Sequence, residues 1–130
     1  MTRTILVVED TREFQLLIRS ILEGAGYEVV IAGTGTEGLA EARRLKPDLV
    51  LLDIQLPGMD GYDVCGAIRA DPEIGRLPII VVSVQSQVSE IIRAMKRGAD
   101  DYVAKPYDPR QVLTRVAGLL DAAADRRGPE

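Results

Sequence analysis

The sequence predicts an α/β fold, a single five-stranded parallel sheet with helices on both faces in a three-layer (βα)5 sandwich, on three observations. Five short, β-branched apolar runs recur along the chain. Helical apolar patterns separate each run from the next. The resulting βα units are about 26 residues each, a spacing that suits strands joined by crossover helices rather than by hairpins. The 130 residues suffice for one domain with a sizeable core and are too few for two.

The first strand is "TILVV" at 4–8. Phe14, Leu17, Ile18, Ile21 and Leu22 follow the i, i+3, i+4, i+7, i+8 spacing of a helix face, and Gly24 and Gly26 sit where that helix should stop. "YEVVIA" at 27–32 is the second strand, more mixed in character and nearer an edge. Leu39, Ala42 and Leu45 mark a second helix. "DLVLL" at 48–52 is the third strand, and Val64, Cys65 and Ile68 mark the helix after it. "PIIVVS" at 78–83 is the fourth strand; Val88, Ile91, Ile92 and Met95 give its helix two turns of apolar face, with Gly98 at the stop. "DYVA" at 101–104 is the fifth strand, and Val112, Val116, Leu119 and Leu120 mark the last helix. All strands but the second are nearly continuous in apolar character, as strands covered on both faces should be. Pro47, Pro72, Pro78 and Pro109 punctuate loops or element starts. The domain is expected over 1–122, with 123–130, which ends in "DRRGPE", as a frayed tail or the start of a linker.

Composition narrows the function. A chain that is 46% apolar and 28% charged is ordinary for a soluble domain. The net charge of −4 disfavours duplex DNA or an anionic membrane as a direct partner, because both demand clustered positive charge. The single cysteine, Cys65, excludes an internal disulfide and any CxxC metal site, and on its helix it reads as a small core residue. There is no histidine, so His-based catalysis and His–metal ligation are absent. No apolar run approaches the length of a membrane span, and "MTRTILVVED" does not read as a signal peptide, so a cytoplasmic protein is expected.

In a parallel α/β sheet the loops at the carboxyl ends of the strands form the binding edge. Glu9 and Asp10 follow the first strand, Asp53 ends the third, Ser83 ends the fourth, and Lys105, followed by Pro106, lies just past the fifth. Three carboxylates brought together repel, and a hard divalent cation such as Mg2+ relieves that repulsion through oxygen ligands. A carboxylate can also act as a nucleophile and become an aspartyl-phosphate. Lys105 and the Ser83 hydroxyl would then meet the incoming phosphoryl oxygens. Taken singly, each residue has a plainer reading: Glu9-Asp10 as an acidic helix cap, Asp53 as a turn residue, Ser83 as a strand-end hydroxyl, Lys105 as solvated, Tyr102 as core. Their joint placement on four strand ends favours the chemical one.

"GTGTEG" at 33–38 spells the G-x-G-x-x-G of a dinucleotide loop, with Asp53 twenty residues past Gly33. Glu37 lies in the turn where pyrophosphate would sit and would repel it. The glycines are instead expected to shape the turn into the second helix, capped by Thr34 or Thr36.

"LVVED", "PDLVLLDIQLPGMDGYDV", "PIIVVS" and "GADDYVAKPYDP", in this order and at these spacings, make residues 4 to 121 similar to the receiver domain of bacterial two-component response regulators, of the chemotaxis-regulator-like kind. The resemblance implies a flavodoxin-like fold with strand order 2-1-3-4-5 and a cis Lys105–Pro106 bond. It implies Asp53 as phosphoacceptor, Glu9 and Asp10 as the acid pair holding Mg2+, and the backbone carbonyl of Gln55 as a further metal ligand. Lys105 would bind the phosphoryl group, Ser83 would move toward it, and Tyr102 would turn inward as the switch aromatic. The implied partner is a sensor histidine kinase or histidine phosphotransfer protein, with a downstream protein at the 87–121 face. The implied activity is limited to the chain's own phosphorylation and slow dephosphorylation; it is not an enzyme of metabolic turnover. Val84 stands where the family commonly has Ala or Gly, and Gln55 and Gln85 occupy positions that tune dephosphorylation. Two other readings remain: a phosphorylation-independent interaction module of the same fold, and a nucleotide-binding enzyme.

Overall fold

The computed structural model describes residues 2–84 and 88–127. The chain alternates strand and helix throughout: β1 (Thr4–Val8), α1 (Arg12–Gly24), β2 (Glu28–Ala32), α2 (Gly35–Leu45), β3 (Leu49–Asp53), α3 (Gly61–Ala70), β4 (Ile79–Ser83), α4 (Val88–Lys96), β5 (Asp101–Ala104) and α5 (Pro109–Arg127). The strands form one sheet in the order β2-β1-β3-β4-β5, every neighbouring pair parallel. This is the order the family resemblance implied.

Side chains alternate across a strand, so each strand feeds two cores. Leu6, Val8, Val50, Leu52, Ile79 and Val81 point to one face and pack with Ala42 of α2, Tyr62, Val64, Cys65 and Ile68 of α3, and Ala94 of α4. Ile5, Val7, Leu49, Leu51, Ile80, Val82 and Val103 point to the other and pack with Ile18 and Leu22 of α1 and Val112, Val116 and Leu120 of α5. The fully buried β3 and β4 account for the continuous apolar runs at 48–52 and 78–83.

Two expectations change. "DYVA" was read as a doubly covered strand, yet β5 lies at the sheet edge and only Val103 is buried in it. An edge strand lacks one lateral neighbour, and an apolar run does not reveal that. In α4 the spaced apolar residues face outward: Val88, Ile92 and Met95 are exposed, while Ala94 is the buried residue. Periodicity identifies a face of a helix but not what that face meets. Leu17 of α1 is exposed for the same reason, as is its neighbour Leu16.

The helix ends follow local chemistry. Gly26 and Gly98 adopt positive φ just past α1 and α4, the conformation that ends a helix at least cost for glycine. Lys46 does the same after α2 without being glycine. Pro109 occupies the first position of α5, where its missing N–H is not needed. That helix continues to Arg127, past the boundary expected at 122, so residues 123–127 are helical; 128–130 lie outside the described residues.

Candidate functional site

The order 2-1-3-4-5 reverses direction between β1 and β3, and the loops leaving their carboxyl ends diverge there. Glu9 continues β1, its N–H donating to the Ala32 carbonyl at 3.0 Å, and its side chain is buried. Asp53 is the last residue of β3, in register with Val82, and is also buried. Ser83 ends β4 fully buried. Lys105 follows β5, with its N–H donating to the Ser83 carbonyl at 2.9 Å and a cis bond to Pro106. The four expected strand ends therefore meet at one edge.

The Lys105 ammonium lies between two carboxylates. It donates to Asp53 Oδ2 at 2.7 Å and forms an ion pair with Glu9 Oε1. Backbone N–H groups complete both acids: Gln55 donates to Asp53 Oδ1 at 2.9 Å, and Thr11 donates to Glu9 Oε2 at 3.0 Å. The Gln15 amide donates to the Glu9 carbonyl at 2.6 Å and ties the first turn of α1 to the end of β1. The N-cap of α1 is Thr11, without a side-chain capping bond, so Glu9-Asp10 is not the helix cap of the plainer reading.

Glu9, Asp10 and Asp53 each present a carboxylate oxygen, and these atoms lie within 4.8 Å of one another. Three negative groups face one ammonium. Burial pushes the Glu9 pKa up and the charge of Asp53 adds to this, against the lowering effect of hydrogen bonds from Lys105 and Thr11. Glu9 Oε1 has the Lys105 ammonium as its partner. A buried carboxylate beside two further acids is a donor set suited to a hard divalent cation. Asp10 is exposed, which leaves the open side to the waters that Mg2+ retains.

Aromatic residues enclose the lysine. The Phe14 ring centroid is 4.2 Å from Lys105 Nζ, and Tyr107 meets Phe14 edge-on, with centroids 5.9 Å apart and planes at 87°. Tyr107 is buried, and that burial together with the charges of Glu9 and Asp53 raises its pKa. Tyr102 is half-buried against the α2–α3–α4 core. Burial raises its pKa too, partly offset by a hydrogen bond with the Ser83 side chain. Val84, next along the chain, is exposed; Gln85 lies outside the described residues.

The glycines of "GTGTEG" have another use. A Cβ on Gly35 would sit 2.1 Å from the Met59 carbonyl oxygen, and one on Gly38 would sit 2.7 Å from Val8 Cγ2. They let α2 press against the loop before α3 and against β1. Thr34 caps the helix by accepting from Glu37 N–H, and the Glu37 carboxylate accepts from Gly33 N–H. A loop N–H that a phosphate would need already serves a carboxylate, which removes the dinucleotide reading. Cys65 is buried with its thiol against the Arg97 carbonyl, and burial raises its pKa, as suits a core residue.

Sequence reasoning missed the Thr11 and Gln55 amides and the two aromatics. Backbone donors leave no mark in side-chain spacing. Phe14, the only phenylalanine, matched a core position of α1, and its place one turn beyond Asp10 was the available signal.

The family model for the response regulator receiver domain matches residues 5–117. The DNA-binding response regulator MtrA of Mycobacterium tuberculosis (strain H37Rv) is 38% identical over 120 residues, covering 92% of this chain and 51% of the relative. The alkaline phosphatase synthesis transcriptional regulatory protein PhoP of Bacillus subtilis is 38% identical, covering 92% and 49%. The chain thus spans about half the length of the curated relatives it matches. Among solved structures, a CheY-like response regulator receiver domain protein from Methanospirillum hungatei is similar with a TM-score of 0.89 at 31% identity, covering 97% of this chain and 99% of that one. The receiver domain of a signal transduction histidine kinase from Syntrophus aciditrophicus gives 0.86 at 30% identity, covering 93% and 92%. With the family model matched over most of the chain and the fold shared, the chain belongs to the response regulator receiver domains, the phosphorylation-dependent switches of two-component signalling.

Proposed function

We propose that Asp53 accepts a phosphoryl group from a phosphohistidine of a sensor histidine kinase or a histidine phosphotransfer protein. The observation that carries this reading is the buried Lys105 ammonium held between Asp53 and Glu9. An Asp53 oxygen attacks phosphorus as the N–P bond of the donor breaks. The imidazole nitrogen keeps the electron pair of that bond, and the product is an acyl phosphate. Positioning and charge stabilisation are most of such a transfer. Lys105 passes from Asp53 Oδ2 to a phosphoryl oxygen, and the Ser83 hydroxyl donates to another. Glu9, Asp10, an Asp53 oxygen and the Gln55 carbonyl would hold Mg2+, whose charge neutralises the transferring oxygens when bound.

Ser83 already shares a hydrogen bond with Tyr102. Drawing Ser83 toward the phosphoryl group changes that bond, and Tyr102 carries the change to the face of α4, β5 and α5 within 87–121, where a downstream protein docks. Turnover is confined to the chain's own phosphorylation and slow hydrolysis. DNA binding is named for MtrA; nucleic acid is not proposed as a direct partner of this chain, whose net charge is −4. Among the described residues no helix is long and apolar enough to cross a membrane, and the proposed compartment is the cytoplasm.

Intact mass spectra after incubation with acetyl phosphate or a phosphorylated histidine phosphotransfer protein test the proposal, with and without Mg2+, for wild type and Asp53→Asn. One phosphoryl adduct requiring both Mg2+ and Asp53 is expected. An adduct surviving in Asp53→Asn, or none from either donor, would overturn it. The second outcome would favour the phosphorylation-independent interaction module, for which the outward apolar face of Val88, Ile92 and Met95 is the supporting observation.

A further inference from the structure

We propose that Phe14 is a positioning residue for Lys105, holding the ammonium over the site while its carboxylate partners are drawn into the reaction. The inference rests on the phosphoacceptor reading of Asp53. Lysine is a flexible four-carbon stem with a point charge, and something must fix its end. In this structure three groups do so: Asp53 Oδ2, Glu9 Oε1 and the face of the Phe14 ring, 4.2 Å from Nζ to centroid. A cation over an aromatic face is attracted by the ring quadrupole, most strongly where water is excluded, and Lys105 is only 7% exposed.

The three contacts differ in what the reaction does to them. The Asp53 carboxylate becomes an acyl phosphate, its charge moves to the phosphoryl oxygens, and Lys105 must follow it. Glu9 belongs to the acidic set that suits a divalent cation. The ring is spent on neither. The ring therefore keeps the ammonium placed while its anionic partners change, and a preorganised charge needs no reorganisation at the moment of transfer, which raises rate. The ring is itself fixed on both sides. Tyr107 abuts it at 87°, and the Gln15 bond to the Glu9 carbonyl anchors the turn of α1 that carries it.

The chain contains one phenylalanine, so biosynthetic replacement of phenylalanine by its mono-, di- and trifluoro analogues alters Phe14 alone. Fluorination drains the ring face of negative potential while nearly preserving shape. The experiment compares Mg2+-dependent phosphorylation rates at saturating acetyl phosphate across this series and Phe14→Leu, with thermal midpoints measured in parallel. The expected result is a stepwise fall in rate, reaching about fivefold to thirtyfold in the trifluoro protein, with little change in midpoint. A flat rate across the fluorinated proteins would overturn the inference, including the case in which Phe14→Leu is slow, because that pattern indicates a role for shape alone. If the wild-type chain takes no phosphoryl group from any donor, the phosphoacceptor reading fails first and this inference fails with it.

Discussion

Replacing Lys105 by methionine removes an ammonium from between two buried carboxylates and leaves the chain volume nearly unchanged. At 2.7 Å the attraction to Asp53 alone is about 6 kcal/mol for an effective dielectric of about 20. Withdrawing the ammonium from water on folding costs several kcal/mol and offsets much of that. The variant nevertheless keeps Glu9 and Asp53 buried, with Asp10 beside them, and no positive charge among them. Removing one partner of a buried ion pair costs about 3–5 kcal/mol for this reason. Urea unfolding of wild type and Lys105→Met at neutral pH in chelator should show a loss of that size. The same arithmetic applies to the cation: it would meet three carboxylates with no ammonium opposing it, so Mg2+ should bind the variant at least about tenfold more tightly and restore part of the lost stability. Equal stability in chelator, or an unchanged Mg2+ affinity, would refute the placement of the ammonium in the acidic cluster.

Val84 is exposed beside the buried Ser83; Val84→Ala should phosphorylate faster with acetyl phosphate, and an unchanged rate would reject a steric role. The folded pKa of Glu9 lies above its ordinary value of 4.5, so the folded state binds that proton more tightly than the unfolded chain does. The Glu9 contribution to stability should therefore rise as pH falls from above the folded pKa toward 4.5; Glu9→Gln should flatten that part of a stability profile measured in chelator, and a profile identical to wild type would contradict it. Gly38→Ala would place a Cβ 2.7 Å from Val8 and should cost about 1–3 kcal/mol in thermal or urea unfolding, whereas a neutral effect would deny that α2 needs the close approach.

Much of this arrangement was legible because a parallel sheet converts sequence order into spatial rule. Apolar runs located all five strands, and the carboxyl-edge rule then brought Glu9, Asp10, Asp53, Ser83 and Lys105 together from ends of strands as far apart in sequence as the first and the fifth. Lateral order was another matter. "DYVA" reads as another apolar run, yet only Val103 packs inward and the strand lies at the edge, and only the family resemblance supplied its place. The face of α4 was visible as periodicity, but its direction depends on which neighbours are present, and Ala94 alone occupies the buried side. Lys46 ends α2 in a left-handed conformation that a search for glycine overlooks. The site itself was read as side chains, so the amides of Thr11 and Gln55 escaped, and Phe14 was assigned to the core it partly serves.

Chemical trapping tests the central claim most directly. After phosphorylation with Mg2+ and donor, borohydride reduces an aspartyl acyl phosphate to homoserine, and fragment mass spectra locate the changed residue. The account predicts reduction at Asp53 alone, lost without Mg2+ and lost in Lys105→Met when donor is limiting. Homoserine at another acid, or a phosphorylated chain in which Asp53 remains intact, would contradict it.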